Sequence, residues 1–398
     1  MDTFDNINHV NITPEQRAQT LIEALPYIQR YYGKTIVIKY GGNAMISEEL
    51  RRAVIDDIVM LSLIGVRVIV VHGGGPEISA MLKKTGKESK FVNGLRYTDE
   101  ETMDIVQSVL CGKVNKDLVK LINDAGGKAV GLSGMDDNMI QAVKLDKGDG
   151  FDYGLVGEIE DIDPEVIFHT IGSGMIPVIS TVAMGTDGNK CYNINADTAA
   201  ARIAIACHAS KLILLTDITG VLRDKDDEST LIGRITLDEI PELKASGVLQ
   251  GGMIPKVECC EFAVKSGVAR THILDGRIPH SILIEVLSHK GIGTMVWRGE
   301  DNTRPRKNSW PSTSSMCWGP TAETPLPSRT ARVPRFTTQK ATNTSTSRAA
   351  SASVRSATAT RNGRRRFTIR RSRSATCRTS TTPSPARNSR NSSARGPA

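Results

Sequence analysis

Two lysines beside glycines are the residues of this sequence best suited to binding an anion while it reacts. Lys39 follows the apolar run 35–38 and precedes Gly42, and Lys256 comes shortly after Gly252. A β-branched apolar run is typical of a buried strand, and open α/β sheets bind ligands where their strands end. Glycine N–H groups beside a fixed cation stabilise an anion that gains charge during a reaction. An ordinary glycine turn after the first strand is the alternative.

Lys256 also lies near the start of a predicted helix. A cation there is opposed by the positive end of the helix dipole, so it needs a compensating anion. This unfavourable placement favours a functional role for Lys256.

A second glycine cluster, residues 72–77 (HGGGPE), follows the next apolar strand. It is not a Walker A loop, because no Gly-Lys-Ser/Thr follows, and it lacks the Gly-x-Gly-x-x-Gly spacing. Consecutive glycines such as Gly74 and Gly75 let the backbone approach a ligand without obstruction by a Cβ atom. A tight turn between strand and helix is the alternative.

Several polar residues lie close to further strand ends. Arg96, in a predicted hairpin, could bind a carboxylate through its bidentate fork, although a lone arginine can equally be a solvated surface charge. Asn193 offers amide donors and acceptors, and Asp197 lies near a helix start, where helix capping is the alternative. The segment Thr216-Asp217 ends another strand at an edge of the kind that lines nucleotide pockets.

The elements that must position these residues follow from the apolar patterns. The patterns predict helices over 14–31, 47–64, 101–125, 164–173, 198–209, 258–266 and 279–288. They predict strands over 35–38, 66–71, 128–132, 176–180, 211–215, 270–274 and 293–297, and hairpins at 91–98 and 141–160. Thr98 is the expected N-cap of the helix over 101–125.

The first predicted helix has a capping box, with Thr13 as N-cap and Gln16 as its partner. Pro26 is expected to kink or interrupt this helix. An apolar stripe that includes Leu21 and Leu25 should either cover its own domain or contact another subunit.

Charge divides the chain into two unequal parts. The last 100 residues carry 20 Lys and Arg against three Asp and Glu, so this segment has a net charge of +17 and the first 298 residues one of −9. The basic tail 299–398 is rich in Ser, Thr, Arg and Pro and has no apolar period, which predicts disorder. A frameshift in the source sequence is the favoured explanation, and a basic arm that binds nucleic acid is the alternative.

The compartment is expected to be the cytoplasm. No apolar stretch approaches the roughly 20 residues needed to span a membrane, and the acidic, polar start does not resemble a signal peptide. Seven scattered cysteines, two of them adjacent at Cys259 and Cys260, give no metal spacing and no disulfide framework.

Five segments together, over about residues 10–298, resemble the amino-acid kinase family, in particular its members that phosphorylate N-acetyl-L-glutamate. They are IKYGGNAM (38–45), VVHGGGPEI (70–78), FVNGLRYTD (91–99), NINADTAA (193–200) and GGMIPKVE (251–258). The resemblance implies a three-layer α/β/α sandwich with a mostly parallel central sheet. It further implies an amino lobe (about 34–180) for the amino-acid substrate and a carboxyl lobe (about 181–298) for ATP.

The resemblance also assigns roles to single residues. Lys39 and Lys256 would neutralise the phosphoryl group in transit, and Asp197 would position both lysines. The remaining residues would bind phosphate or substrate through the backbone (Gly42, Gly74, Gly75), hold the substrate carboxylates (Arg96, Asn193) and contact the nucleotide (Thr216, Asp217, Gly252). The nucleophile is a carboxylate, which is already ionised at neutral pH, so no general base is needed. Magnesium would enter with ATP, held mainly by its phosphates, and no metal site on the protein is expected.

The N-terminal segment 1–33 and the region around the last helix resemble members that are inhibited by arginine. In those members N-terminal helices interlace dimers into a hexamer, and arginine binds beside the helix. The residues concerned here would be Tyr27, Lys211, His280, Glu285 and Gly293. Met135, where many relatives carry lysine, and Glu77, which replaces a common glutamine, depart from the pattern.

Three alternative functions stay open from the sequence. One is a kinase of the same fold that acts on aspartate, glutamate, carbamate or UMP. Another is a non-catalytic module that senses arginine or a nucleotide, although such modules usually lose the catalytic lysines. The third, nucleic-acid binding, depends on the tail alone.

Overall fold

A computed structural model describes residues 13–41, 47–186 and 188–299 of the chain. The expectations for Gly42 and for the tail from residue 300 onward therefore lie outside the described residues. Within those ranges, no helix is both long enough and apolar enough to cross a membrane.

The helices and strands alternate along most of the chain. The α-helices are α1 (Pro14–Tyr31), α2 (Glu48–Leu63), α3 (Gly75–Lys84), α4 (Glu100–Gln107), α5 (Asn115–Asp124), α6 (Glu165–Gly172), α7 (Ala196–Ala206), α8 (Ile240–Ala245), α9 (Met253–Lys265) and α10 (Ser281–Leu287). The strands are β1 (Thr35–Tyr40), β2 (Arg67–His72), β3 (Phe91–Val92), β4 (Leu95–Arg96), β5 (Ala129–Ser133), β6 (Ile140–Lys144), β7 (Gly157–Ile162), β8 (Ile176–Ser180), β9 (Val182–Gly185), β10 (Cys191–Asn193), β11 (Lys211–Thr216), β12 (Arg234–Thr236), β13 (Arg270–Asp275) and β14 (Thr294–Trp297).

A mostly parallel sheet of eight strands forms the centre of the fold, in the order β12-β14-β13-β11-β1-β2-β8-β5. Its strand pairs are parallel except for β13 with β14. The predicted strands of this sheet are all present within two residues of their expected bounds, and the predicted α/β fold is confirmed. Strand β1 lies between β2 and β11, so its carboxyl end is in the middle of the sheet.

Two apolar cores lie on opposite faces of the central sheet, which is the arrangement of a three-layer sandwich. Val37 packs into one core with Ala200 of α7 and Val257 of α9. Its neighbour Ile38 packs into the other with Ile58 of α2 and residues of α5. Adjacent strand residues enter opposite cores because side chains alternate across a strand, and both are apolar because the sheet is buried on both faces.

A smaller sheet of four strands, in the order β10-β9-β6-β7, packs beside the first. Strands β6 and β7 are antiparallel, as predicted for residues 141–160. Strand β10 ends at Asn193, three residues before α7 begins, so this sheet delivers the polar segment 193–197 to the helix start.

One local prediction about the helix over 101–125 is wrong. Its N-cap is Asp99 rather than Thr98, because the Asp99 carboxylate accepts the N–H of Thr102. The predicted helix itself is present over residues 100–124, where the π-helical segment Ser108–Val114 joins α4 to α5. The apolar face continues through all three pieces, and it is this face that the sequence pattern reports.

Helix α1 has the predicted capping box between Thr13 and Gln16. The helix is continuous through Pro26, so the predicted interruption is absent. Leu21 and Leu25 are exposed, whereas Tyr31 at the end of the helix is buried. The apolar stripe of α1 therefore does not cover its own domain.

Candidate active site

One buried carboxylate contacts both lysines that the sequence singled out. Asp197 Oδ1 lies 2.9 Å from Lys39 Nζ, and Asp197 Oδ2 lies 2.7 Å from Lys256 Nζ. The exposed fractions of the three side chains are 11% for Lys39, 13% for Asp197 and 19% for Lys256. Two ammonium groups that are 217 residues apart in sequence thus meet on one anion.

The fold explains why these three side chains meet. Lys39 is the penultimate residue of β1, and it points to the carboxyl edge of the central sheet. Asp197 lies in the first turn of α7, whose N-cap is Asn195, and Lys256 lies in the first turn of α9. Helices α7 and α9 pack against each other, so their N-terminal ends reach the same edge. The anion that the position of Lys256 required is the Asp197 carboxylate.

The electrostatic balance of this group favours the ionised acid. Burial by itself raises the pKa of the Asp197 carboxyl, but the ammonium groups of Lys39 and Lys256 more than offset it. The pKa of Asp197 therefore lies below its ordinary value. The group carries two positive charges and one negative charge in a nearly dry setting, so it can attract a further anion.

The glycine segments of β1 and β2 adjoin this group. A Cβ atom on Gly41 would lie 3.2 Å from Lys39 Nζ, and one on Gly73 would lie 3.4 Å from the Cβ of Ala196 at the start of α7. Gly74 is the N-cap residue of α3, where a Cβ would clash with Leu110 at 2.7 Å. A Cβ on Gly75 would meet nothing within 4 Å, so that position faces open space.

A buried histidine supports the glycine loop from behind. His72 Nδ1 donates to the carbonyl oxygen of Gly73 at 2.9 Å, and His72 Nε2 accepts from Asn115 Nδ2 at 3.1 Å. Burial lowers the pKa of His72 to about 4, so the ring is neutral at pH 7. The sequence analysis named His72 only as part of the glycine cluster, and it missed Asn115.

Arg96 is buried beside the glycine loop rather than solvated. Its guanidinium donates to Ser89 Oγ at 2.6 Å, to the Gly75 carbonyl oxygen at 3.0 Å and to Ser79 Oγ at 2.9 Å. Three of its five N–H donors are thus used by the described residues. Asn193 Nδ2 donates to the hydroxyl of Thr98 at 3.2 Å.

The predicted nucleotide residues lie at the same edge of the sheet. Thr216 is the last residue of β11, the strand beside β1, and its side chain donates to Asp217 Oδ1 at 3.3 Å. Gly252 is the N-cap residue of α9, where a Cβ would meet open space. These residues and the two lysines therefore line one end of the fold.

A second buried polar group lies at the opposite edge of the sheet. Lys211, the first residue of β11, contacts His272 Nε2 through its Nζ at 3.0 Å, and His272 Nδ1 contacts Glu285 Oε1 at 2.8 Å. The Tyr31 ring lies 5.1 Å from Lys211 Nζ. Tyr27 contacts His289 Nδ1 through its hydroxyl at 2.6 Å. Both histidines were missed, and a histidine within the apolar strand β13 was the signal that could have found His272.

The other two residues named with this group, His280 and Gly293, lie close to the same helix and strand. His280 Nδ1 lies 2.7 Å from Oδ1 of the buried Asp57, whose other oxygen accepts the N–H of Ile282 at the start of α10. A Cβ on Gly293 would lie 2.2 Å from the carbonyl oxygen of Ile273, so the backbone approach there requires glycine.

The chain is similar to known proteins in both sequence and fold. Residues 34–275 match the family model "Amino acid kinase family". The acetylglutamate kinase of Clostridium kluyveri is 58% identical over 280 residues, which are 70% of this chain and 98% of that protein.

Two solved structures of N-acetylglutamate synthase from Neisseria gonorrhoeae are also similar. One contains coenzyme A and N-acetyl-glutamate; its TM-score is 0.62 at 26% identity, over 71% of this chain and 64% of that one. The other contains coenzyme A and L-arginine; its TM-score is 0.60 at 25% identity, over 71% and 65%.

Proposed function

The chain belongs to the amino acid kinase family and is a kinase, and from that premise we propose that it transfers the γ-phosphoryl group of ATP to the side-chain carboxylate of N-acetyl-L-glutamate. The contact of Lys39 and Lys256 with Asp197 is the observation that carries this proposal. The similarity to acetylglutamate kinase over nearly the whole of that protein supports the choice of substrate.

The proposed reaction brings one anion towards another. A γ-carboxylate is ionised at neutral pH and attacks without a general base, and an acyl phosphate forms as ADP leaves. The barrier is therefore lowered by alignment and by cations placed where charge accumulates. The ammonium groups of Lys39 and Lys256 supply that charge, and Asp197 holds both in place before ATP binds.

Magnesium would enter with the nucleotide rather than be held by the protein. Both oxygens of Asp197 are engaged by ammonium groups. The described residues contain no cluster of three or more His, Cys, Asp or Glu side chains that could hold a metal ion. We therefore propose the phosphates of ATP as the main ligands of the magnesium ion.

The amino-acid substrate is proposed to bind between the glycine loop and β10. Arg96 still has two N–H donors for a carboxylate, and Asn193 can donate a second N–H. The N–H groups of Gly74 and Gly75 would bind the reacting carboxylate or the phosphoryl group. Residues 34–180 and 181–298 are proposed as the substrate and nucleotide lobes, with Thr216, Asp217 and Gly252 on the nucleotide.

A coupled assay of ADP formation tests the substrate. N-acetyl-L-glutamate is expected to give turnover, whereas aspartate, glutamate, carbamate and UMP are expected to give none. Turnover with one of the latter and none with N-acetyl-L-glutamate would overturn the proposal.

We also propose that arginine inhibits the enzyme at the group formed by Lys211, His272 and Glu285. Glu285 would bind the guanidinium, Lys211 would bind the ligand carboxylate, and Tyr27 on α1 would pack on the ligand. His280 and Gly293 belong to the same proposed site. The exposed Leu21 and Leu25 support a role of α1 in a homo-oligomer, for which a hexamer is the proposed form. The arginine-bound structure of the Neisseria enzyme supports the choice of ligand.

A further inference from the structure

A single buried hydroxyl connects the side chain of Asn193 with the backbone of Arg96, the two residues proposed to hold the substrate carboxylates. Thr98 has no exposed surface, and it lies two residues after Arg96. Its Oγ1 donates to the carbonyl oxygen of Arg96 at 2.9 Å and accepts from Asn193 Nδ2 at 3.2 Å. Neither the reaction nor the helix cap uses this hydroxyl, since Asp99 caps α4.

The backbone of Thr98 is itself fixed between other elements. Its carbonyl oxygen accepts the N–H of Leu155 at 2.5 Å, and its N–H donates to the carbonyl oxygen of Tyr153 at 3.3 Å. A Cβ on Gly154 would lie 2.2 Å from the Thr98 carbonyl oxygen, so only glycine permits this approach. The carbonyl oxygen of Leu155 also accepts the N–H of Asn193 at 2.9 Å. The hydroxyl therefore has little freedom to move.

The chemistry of a hydroxyl gives this contact a direction. A threonine hydroxyl has one hydrogen, and here that hydrogen is used on the Arg96 carbonyl. Only a lone pair then faces Asn193, so the amide must turn its NH₂ group, and not its oxygen, towards Thr98. The second hydrogen of the same NH₂ group remains for a ligand. A carboxylate accepts hydrogen bonds only, so the reverse orientation of the amide would repel it.

We propose that Thr98 is a positioning residue that fixes the Asn193 amide and the Arg96 backbone in one arrangement for an acidic substrate. This inference rests on the proposed function, since it assigns the carboxylates of N-acetyl-L-glutamate to Arg96 and Asn193. It adds that one hydroxyl fixes both the Asn193 amide and the Arg96 backbone. Its loss should weaken the binding of the amino-acid substrate and leave that of ATP unchanged.

The test compares Thr98→Val, which removes the hydroxyl at nearly constant volume, with Thr98→Ser, which retains it. Thr98→Val is expected to raise KM for N-acetyl-L-glutamate about tenfold. A change of this size corresponds to the loss of one hydrogen bond between the Asn193 amide and the substrate carboxylate. KM for ATP should stay within twofold, and kcat should fall less than KM rises. Thr98→Ser should stay within about twofold of the wild type. Thr98→Ala replaces the valine variant if valine prevents folding.

A double-mutant cycle separates positioning from general destabilisation. With Asn193→Ala already present, Thr98→Val should raise KM by much less than tenfold, because the amide that it orients is absent. Thr170→Val is the matched control, since Thr170 is also buried and donates to a carbonyl oxygen, that of Val166 at 2.8 Å in α6. It should change neither KM.

Three results would overturn the inference: an unchanged KM in Thr98→Val, a rise shared equally by ATP, or fully multiplicative effects in the cycle. In these cases a wild type that phosphorylates N-acetyl-L-glutamate leaves the proposed function standing. A wild type inactive with this substrate overturns both.

Discussion

Two buried lysines on neighbouring strands of one sheet have opposite electrostatic surroundings. Lys39, near the carboxyl end of β1, contacts the carboxylate of Asp197 directly at 2.9 Å. Lys211, at the amino end of β11, contacts the ring of His272 instead, and the carboxylate of Glu285 lies beyond that ring. One cation is balanced by contact with an anion, whereas the other is balanced through a neutral group.

The pKa values express this difference. Burial lowers the pKa of Lys211 to about 8, even though the more distant Glu285 acts to raise it. Burial, together with the charge of Lys211, lowers the pKa of His272 to about 4, so the ring stays neutral and accepts at Nε2 from the ammonium group. At the other end, the two lysines keep the pKa of Asp197 below its ordinary value. The Lys39 end of the sheet is therefore stabilised by contact between opposite charges, whereas the charged form of Lys211 at the other end destabilises the fold.

The largest effect is expected from substitutions at the Lys39 end of the sheet. Lys39→Ala and Lys256→Ala should each lower kcat by about 10²–10³, because each removes a cation that stabilises the migrating phosphoryl group. Initial-rate kinetics with N-acetyl-L-glutamate and ATP measure this, with smaller changes expected in both KM values. Lys120→Ala, which removes an exposed lysine paired with Asp124 on α5, is the matched control and should retain full activity. Loss confined to KM would contradict a role in the transition state.

The second largest effect is expected from removal of the carboxylate between the two lysines. Asp197→Asn should lower kcat about ten- to a hundredfold, because the ammonium groups lose the carboxylate that orients them. The folded-state pKa of Asp197 is depressed, so its contribution to stability is present above the unfolded pKa near 4 and is lost as the pH falls through the folded value. Urea unfolding of wild type and variant should therefore differ at pH 7 and converge as the pH falls below about 4. Curves that remain parallel would contradict the assigned electrostatics.

At the Lys211 end of the sheet, Glu285→Gln should raise the half-inhibitory arginine concentration at least tenfold. The neutral amide cannot form an ion pair with a guanidinium ion. The uninhibited kcat should change less than twofold, since Glu285 lies at the opposite edge of the sheet from Lys39. Rates measured across an arginine titration decide this. Millimolar arginine without effect on the wild type would remove the proposed regulation and leave the kinase proposal intact.

The smallest expected effect concerns stability. Lys211→Met should increase the free energy of unfolding at pH 7 by about 1 kcal/mol. The lowered pKa of the buried ammonium group corresponds to a cost of roughly 3 kcal/mol, and the lost contact with His272 Nε2 offsets part of the gain. The charged form of Lys211 destabilises the fold, whereas that of Asp197 stabilises it, although stability rises with pH in both cases. The cost at Lys211 is full below pH 8 and is relieved as the pH rises from about 8 towards the unfolded value near 10.5. Thermal unfolding at pH 7 and pH 10 should show the difference between variant and wild type shrinking. A less stable variant at pH 7 would show that Lys211 is fully compensated.

Residues near one another in sequence carried most of what could be predicted. The β-branched run before Lys39 and the glycines after β2 predicted strands and turns that the structure contains. The capping box of Thr13 and Gln16 was also found, because it needs only four residues. The prediction that Thr98 caps α4 was wrong because the adjacent Asp99 can also cap this helix. In the structure the carboxylate of Asp99 is the N-cap group.

Contacts across the fold could not be read in the same way. The sequence marked Lys39, Asp197 and Lys256 only through separate local patterns and a family resemblance. The contacts of His272 with Lys211 and with Glu285 join two strands and a helix, and no spacing along the chain predicts them. The exposure of Leu21 and Leu25 likewise depends on where α1 lies, which its own apolar period does not specify.

The sequence alone thus determined the order of the predicted strands and helices, the glycine turns and the kinds of side chain available for phosphoryl transfer, because each depends on neighbours within a few residues. Tertiary structure alone decided which of those side chains meet. The contacts of Lys39 with Asp197 and of Lys211 with His272 depend on burial, and burial is a property of the packed sheet. The same residue type, placed at the two ends of neighbouring strands, acquired two different electrostatic roles for that reason.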